Sequence, residues 1–191
     1  MRSFSLALLS LAALVVSASA APVDLGSVAG YTPYDRYIRP VKQVLSTLGN
    51  QKASLEQVHA LMREGRSFRY AHTDPYNAAP PAVTEARKVG DCKDKALWLC
   101  DQLGDSSARF VIGKMKRSSS ISHAWVMWEN QGRWWVLDCT LNSRPIPVEK
   151  VGNGDYVPLY SYAKSGTYRH ARASLRVASV AARQNAPVAA R

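Results

Sequence analysis

The sequence predicts an α+β domain in which helices precede an antiparallel sheet. Helical apolar spacing occurs at residues 40–48, 54–64 and 91–104. Two segments rich in aromatic and β-branched residues follow at 122–128 and 133–139, and the short polar stretch between them indicates a hairpin. We therefore expect N-terminal helices, and we expect the third of these helices to pack on the sheet.

Residues 1–20 predict a secretory signal. Arg2 supplies a positive start, residues 6–16 form the apolar run, and residues 18–20 read Ala-Ser-Ala, a small-residue cleavage site. The apolar run is shorter than a typical membrane-spanning helix. An uncleaved membrane anchor is the alternative to a cleaved signal. We therefore expect a mature chain that begins near Ala21 in the periplasm or outside the cell.

The rest of the chain has the length of one domain. We place that domain at residues 21–170, followed by a basic, Ala-rich tail at 171–191 that we expect to be disordered. The formal net charge of +11 indicates a basic surface that favours acidic polymers or an anionic envelope. Nucleic acid is not an expected partner, because no recognition motif is present and export argues against it.

Residues 68–89 predict a loop, because they contain Asp74-Pro75 and Pro80-Pro81 as breakers. Loops that lead into a reactive residue often line a cleft. Tyr76 and Asn77 are therefore candidate donors to an oxyanion, and ordinary turn residues are the alternative interpretation.

The helix that starts at Cys92 is marked at both ends. Asp91 is the predicted N-cap, Asp94 adds negative charge to the first turn, and Gly104 suits the left-handed residue past the end. Cys92 lies four residues before Ala96 and therefore heads the apolar stripe of the helix. The helix dipole and free N–H groups stabilise negative charge on a sulfur placed there. A small core residue is the alternative interpretation of such a cysteine.

The hairpin brings a histidine and a carboxylate together. A two-residue turn at Asn130 and Gln131 would place His123 directly opposite Asp138 on one face. An unpaired carboxylate at the end of an apolar strand is costly, and a neighbouring imidazole would resolve that cost. Cys92 at a helix start, His123 on a strand and Asp138 on the next strand have the layout of a Cys-His-Asp triad.

The sequence contains three cysteines, which leaves an odd one in an exported protein. We expect Cys92 to be free and reactive. Cys100 and Cys139 are either bonded to each other or both buried, and buried, reduced thiols are the interpretation we favour. No Cys/His set has the spacing of a structural zinc site.

Two further segments follow from local composition. Residues 108–113 alternate and predict a strand, whereas 114–121 are basic and Ser-rich and predict a mobile loop. That loop is either a solvated connection or a selector of acidic substrate segments. Residues 145–162 contain several prolines and glycines and predict one short strand or irregular cover.

At these residues the chain resembles the bacterial transglutaminase-like cysteine peptidases, whose best-known members are periplasmic proteases that clip surface adhesins. The resemblance runs from about residue 31 to 170. It is carried by Gly90-Asp91-Cys92-Lys93-Asp94, Ser122-His123-Ala124, Val136-Leu137-Asp138 and residues 156–162. It implies a papain-like α+β fold in which Cys92 is the nucleophile, His123 the base and Asp138 the residue that orients the base.

Two positions depart from the pattern of this family. Lys93 stands where Glu is common, and Ala78 stands at the position of a Trp when Pro81 is aligned with the family's proline. Acidic residues around the nucleophile are associated with calcium in the family, and Lys93 weakens that inference. The residues themselves predict no cofactor and no metal.

We therefore expect a monomeric, exported cysteine hydrolase that cleaves a peptide or amide bond of an envelope protein through a thioester. An amine in place of water would make the same site a transglutaminase, and an amidase acting on cell-wall peptides is a further alternative. A non-catalytic envelope-binding module with the same fold is the remaining one, motivated by Ala78 and Lys93.

Overall fold

The computed structural model describes residues 25–73 and 77–171. The expected signal at 1–20, all of the expected tail except Ala171, and Tyr76 lie outside the described residues. The elements are β1 (Ser27–Val28), α1 (Arg39–Thr47), α2 (Leu55–Ser67), β2 (Arg69–Tyr70), α3 (Pro81–Arg87), β3 (Val89–Gly90), α4 (Cys92–Leu103), β4 (Arg109–Lys116), β5 (His123–Asn130), β6 (Arg133–Leu137), β7 (Ile146–Pro147), β8 (Asp155–Ala163) and β9 (Gly166–Arg169).

A seven-stranded antiparallel sheet organises the described part of the chain, in the order β1-β9-β8-β4-β5-β6-β7. Strands β2 and β3 form a separate parallel pair. Helix α4 packs over β5, and α1, α2 and α3 all contact α4. This arrangement confirms the predicted α+β class with α4 packed on an antiparallel sheet.

Alternate residues of the central strands feed two apolar clusters on opposite faces of the sheet, as the two-residue period of a strand requires. Phe110 and Val126 point into the large core beneath the helices. Val111 and Trp125 belong to a smaller cluster on the other face. The helical face is therefore the main core, and it is the face from which α4 approaches.

Helix α4 begins and ends where the sequence predicts. Asp91 is the N-cap and forms a capping box with Asp94, and Gly104 is the left-handed C-cap with a φ of 62°. Its burial is not confined to one stripe, because three helices and the sheet surround it. Even Lys95 is buried, and its ammonium donates to the carbonyl oxygen of Phe68 at 2.6 Å.

The hairpin forms, but the predicted turn is wrong. Asn130 pairs with Arg133, so Gln131 and Gly132 are the turn residues, with φ values of 53° and 76°. Positive φ at both positions is the geometry of a type I′ turn, and glycine adopts it without steric cost. The pairing therefore moves by two residues relative to the prediction. A shift of two keeps every side chain on its predicted face.

Two prolines that were expected to interrupt secondary structure lie within regular elements. Pro81 occupies the first turn of α3, where a missing N–H costs nothing, so the predicted loop contains a helix. Pro158 lies within β8, a nine-residue strand where only a short one was expected. The pairing of β8 with β4 shifts between Ile112 and Gly113, opposite Pro158. Such a bulge is a position at which a sheet tolerates proline.

Candidate active site

The structure brings together the three residues of the predicted triad. Cys92 is the first residue of α4 and is half-buried, while His123 is the first residue of β5. Asp138 directly follows β6 and is buried. His123 Nε2 lies 2.9 Å from Asp138 Oδ2, and His123 lines the same cavity as Cys92, whose side chain is near enough to raise the pKa of the ring. The imidazole therefore interacts with both the cysteine and the carboxylate.

The surroundings of His123 favour its charged form. Burial alone would lower the pKa of this imidazole. The hydrogen bonds with Asp138 and Cys92, together with their negative charges, outweigh burial and raise the pKa of His123 to about 9. The ring is therefore an imidazolium at neutral pH, and a cation beside a cysteine stabilises a thiolate.

The carboxylate of Asp138 is held by two further donors. The backbone N–H of Thr140 donates to Oδ1 at 3.1 Å, and the phenol of Tyr156 donates to Oδ2 at 3.0 Å. Asn142 Nδ2 donates in turn to the Tyr156 oxygen at 2.7 Å. Burial and the charge of Asp138 raise the pKa of Tyr156, so the phenol keeps the proton that it donates. Sequence reasoning missed Tyr156 and Asn142 as members of the site.

An aromatic stack supports the imidazole from the other side. The Trp125 ring lies nearly parallel to the His123 ring, with centroids 6.1 Å apart and an interplanar angle of 24°. Tyr156 contacts Trp125 edge-on at 5.4 Å. Gly113 pairs with His123 across β4 and β5, and a Cβ there would lie 2.5 Å from the Trp125 ring. The stack therefore depends on a glycine at residue 113.

A cavity of about 340 Å³ opens beside Cys92 and His123, a size typical of a ligand cleft. The lining combines aromatic and aliphatic residues with polar ones. The apolar part of the lining, called the apolar wall below, includes Tyr34, Tyr37, Ile38, Val41, Phe110, Ile112, Ile121 and Ala124, and the polar part includes Tyr70, His72, Thr73, Asp91 and Lys93.

The two oxyanion candidates are not placed in the cleft. Tyr76 lies outside the described residues, and Asn77 is exposed and is not among the described residues that line the cavity. Both stay predictions. Tyr70 and Thr73 line the cavity from segment 68–89, which was expected to be a loop that lines a cleft. Burial, followed by the charges of Cys92, Asp91 and Asp94, raises the pKa of Tyr70, so this phenol is a donor at neutral pH.

The other two cysteines are buried and free, as favoured from the sequence. Burial raises the pKa of Cys100, and burial followed by the charge of Asp138 raises the pKa of Cys139 to about 12. Because β6 ends at Leu137, Cys139 turns towards α4, and its sulfur lies 3.7 Å from the Lys95 carbonyl oxygen. Cys92 is therefore the cysteine that reaches the cleft.

The oxygens at the start of α4 do not fit a calcium ion. Lys93 Nζ is ion-paired with Asp91 and lies 3.9 Å from Asp94 Oδ1, so an ammonium already occupies the space that a metal would need. Within residues 25–73 and 77–171, no group of three or more His, Cys, Asp or Glu side chains is arranged to hold a metal.

In the same ranges, no helix is long and apolar enough to cross a membrane.

Comparison with known proteins finds similarity in the fold. No protein-family model matches the chain, and no curated protein matches it. Calcium-bound LapG of Legionella pneumophila is 17% identical, with a TM-score of 0.49, and the match covers 66% of this chain and 74% of that one. EGTA-treated LapG is 16% identical, with a TM-score of 0.48 and coverage of 69% and 75%.

A Cytophaga hutchinsonii protein described as a cysteine protease is 22% identical, with a TM-score of 0.42, and the match covers 72% of this chain and 45% of that one. These similarities concern the fold alone, and the function proposed below rests on contacts within this chain.

Proposed function

We propose that this chain is an exported cysteine hydrolase that cleaves a peptide or amide bond of an envelope protein. The observation that carries the proposal is that His123 pairs with Asp138 at 2.9 Å and shares the lining of an open cleft with Cys92, which helps to raise the pKa of the imidazole. A nucleophile next to a base that a third group orients is the general signature of covalent catalysis. The transglutaminase-like peptidase assignment is part of this proposal.

The bonding of the imidazole assigns a role to each ring nitrogen. Nε2 pairs with Asp138, which leaves Nδ1 for the Cys92 thiol. In this resting pair His123 already holds the thiol proton, and the Cys92 thiolate attacks the substrate carbonyl carbon. Collapse of the tetrahedral intermediate breaks the C–N bond, and His123 gives its proton to the leaving amine. Water then attacks the thioester, the acid is released, and the Cys92 thiol is restored.

The start of α4 provides a donor for the oxyanion. The Asp91 carboxylate accepts the N–H groups of Lys93 and Asp94, so the N–H of Cys92 is the first-turn donor that this cap leaves for substrate. A second donor comes from the segment before α4. Tyr76 and Asn77 are the donors expected from sequence, and Tyr70 is the phenol on the cleft wall.

The proposed location and partner rest on the signal-like segment at 1–20 and on the net charge. The signal at 1–20 delivers a domain at 21–170 to the periplasm or the exterior, where it acts as a monomer on a protein or peptide. The net charge of +11 suits an anionic envelope. The same thioester could pass to an amine, or the amide could belong to a cell-wall peptide, so transglutaminase and amidase activities are the competing outcomes.

Alkylation across pH tests the nucleophile. We expect iodoacetamide to label Cys92 selectively at pH 6, where an ordinary thiol reacts slowly, and we expect His123→Ala to abolish this selectivity. His59→Ala on α2 is the matched control and should label like wild type. Buried Cys100 and Cys139 serve as internal references. Slow, unselective labelling of wild type would favour the non-catalytic binding module and overturn the proposal.

Incubation with envelope extract tests the reaction. Wild type and Cys92→Ala are compared for cut proteins, altered wall peptides and incorporation of a biotinylated amine. Cut proteins that need Cys92 support the peptidase. Wall-peptide products or amine incorporation instead would assign the amidase or the transglutaminase. No Cys92-dependent product in any fraction would contradict all three enzymes.

A further inference from the structure

A partly buried ionic cluster lies beside Cys92, and its positive charge has no role in the mechanism above. Its members are Thr73, Asp91, Lys93 and Asp94. The ammonium of Lys93 is ion-paired with the Asp91 carboxylate. The same nitrogen lies 2.6 Å from Thr73 Oγ1 and 3.1 Å from the Thr73 carbonyl oxygen. It also lies 3.9 Å from Asp94 Oδ1. Only 12% of the Lys93 side chain is exposed, so this ammonium is enclosed by oxygen atoms.

The cluster holds two carboxylates close together in the first turn of one helix. Burial alone would raise the pKa of Asp91. The hydrogen bond and charge of Lys93, with the N–H groups of Thr73 and Asp94, outweigh burial and lower the pKa of Asp91. Neighbouring carboxylates resist joint ionisation unless a cation lies between them. Lys93 is that cation.

The same cluster fixes one wall of the cleft. Thr73 donates to Asp91 Oδ2 from its N–H at 3.3 Å and from its hydroxyl at 3.1 Å, and the hydroxyl lies 3.2 Å from Asp94 Oδ2. Strand pairing between β2 and β3 ends at Tyr70, and the last backbone bond of this segment runs from Ala71 to Gly90. Beyond Ala71, the cluster is what ties the segment to α4.

We propose that Lys93 is a built-in cation that performs the work of a bound divalent ion and locks segment 71–73 onto the helix of Cys92. Carboxylate, carbonyl and hydroxyl oxygens around one positive charge are the ligand chemistry of a hard cation. A tethered ammonium supplies that charge without a binding equilibrium. The cleft wall is therefore assembled without calcium. This inference does not depend on the hydrolase, because its readouts are stability and exchange.

Thermal unfolding with and without calcium tests the wild-type protein directly. We expect the same Tm in EGTA and in millimolar CaCl₂, because the ammonium excludes the ion. We expect Lys93→Glu, which exchanges the ammonium for a third carboxylate, to unfold at a lower temperature in EGTA. Calcium should then raise the Tm of this variant by about 3 °C or more, the shift that ligand binding to the folded state produces.

Hydrogen exchange localises the effect. In EGTA, the amides of residues 71–73 should exchange at least about tenfold faster in Lys93→Glu than in wild type, and calcium should slow them again. Lys42→Met is the matched control, because Lys42 forms an exposed ion pair with Asp35 at 3.4 Å on α1. Its Tm and exchange should not respond to calcium.

Three outcomes would overturn the proposal. A calcium-dependent Tm in wild type would show that the ammonium does not take the place of an ion. A Lys93→Glu variant that unfolds like Lys42→Met would show that the cluster does not hold the wall. A loss that calcium does not reverse would show that the oxygens are not a cation site. If Lys93→Glu does not fold, Lys93→Gln removes the charge alone and is measured in the same way.

Discussion

The phenol of Tyr156 donates to Asp138 Oδ2 at 3.0 Å, the same oxygen that lies 2.9 Å from His123 Nε2. One carboxylate oxygen therefore serves both the imidazole and a buried phenol. Tyr156 is not among the described residues that line the cleft, so its effect on substrate passes through Asp138. It is a positioning residue in the proposed mechanism.

Tyr156→Phe should lower kcat about tenfold and leave KM nearly unchanged, because a lost hydrogen bond to a charged group frees the carboxylate to rotate. Steady-state kinetics on the peptide product identified from envelope extract measures both constants. Tyr168→Phe, which removes an exposed phenol bonded to Ser165 on the distant β9 segment, is the control. An unchanged kcat in Tyr156→Phe would contradict the positioning role.

The pH dependence of activity should report His123. Because the pKa of His123 rises from an ordinary 6.5 to about 9, the imidazolium persists through neutral pH. We expect kcat/KM to fall as pH rises through about 9, where the ring loses its proton. Stability moves the same way: the contribution of a raised histidine pKa is complete below 6.5 and is lost as pH rises through about 9.

The histidine titration can be measured without turnover. NMR of the His123 ring in wild type should give a pKa near 9, and both Asp138→Asn and Cys92→Ala should lower it, because each removes a hydrogen bond and a charge that raise it. Ring signals of His59 provide the internal reference. A wild-type titration of His123 near 6.5 would contradict the proposed ion pair.

The helix at Cys92 could be predicted from residues near its ends. The hydrogen bond of Tyr156 to Asp138 could not, because it depends on how distant strands pack. Asp91, Asp94 and Gly104 act within one turn of the helix ends, so sequence alone places them. The approach of His123 and Asp138 was predicted despite a wrong turn, because a two-residue shift keeps the face. Tyr156 contacts Asp138 from 18 residues away. It lies on β8, a strand whose full length was not predicted because it contains Pro158.

Asp105 should be a strong determinant of stability. Its carboxylate is fully buried and accepts the Trp128 indole N–H at 2.9 Å and the Ala53 N–H at 3.1 Å, so it joins the segment between α1 and α2 to the sheet. Asp105→Ala leaves these donors without a partner and should lower the free energy of unfolding by about 3 kcal/mol. Urea unfolding measures it, and Asp155→Ala at the exposed start of β8 is the control.

Gly113→Ala should damage both stability and the site. A Cβ at this position would lie 2.3 Å from the Val157 carbonyl oxygen and 2.5 Å from the Trp125 ring, so backbone and ring must move. We expect a loss of about 2 kcal/mol or more and slower alkylation of Cys92, because Trp125 stacks on His123. Gly30→Ala meets nothing within 4 Å and should be neutral. Equal behaviour of the two variants would refute the close-packing argument.

The apolar wall of the cleft should set substrate preference. Ile121 lines the cavity near His123 and is 76% exposed, so Ile121→Ser can change the wall without disturbing the core. We expect KM to rise about three- to tenfold for peptides with an apolar side chain near the cleaved bond, with little change in kcat, because less apolar surface is buried on binding.

Peptides with an acidic side chain at the same position separate this wall from the basic side chains of Lys114, Lys116 and Arg117. Their KM should not change in Ile121→Ser, because the aliphatic side chain gains nothing from a carboxylate. Val28→Ser is the matched control, since Val28 is 74% exposed on the edge strand β1 and does not line the cavity. If acidic peptides are cleaved better than apolar ones by wild type, the basic side chains and not the apolar wall select the substrate.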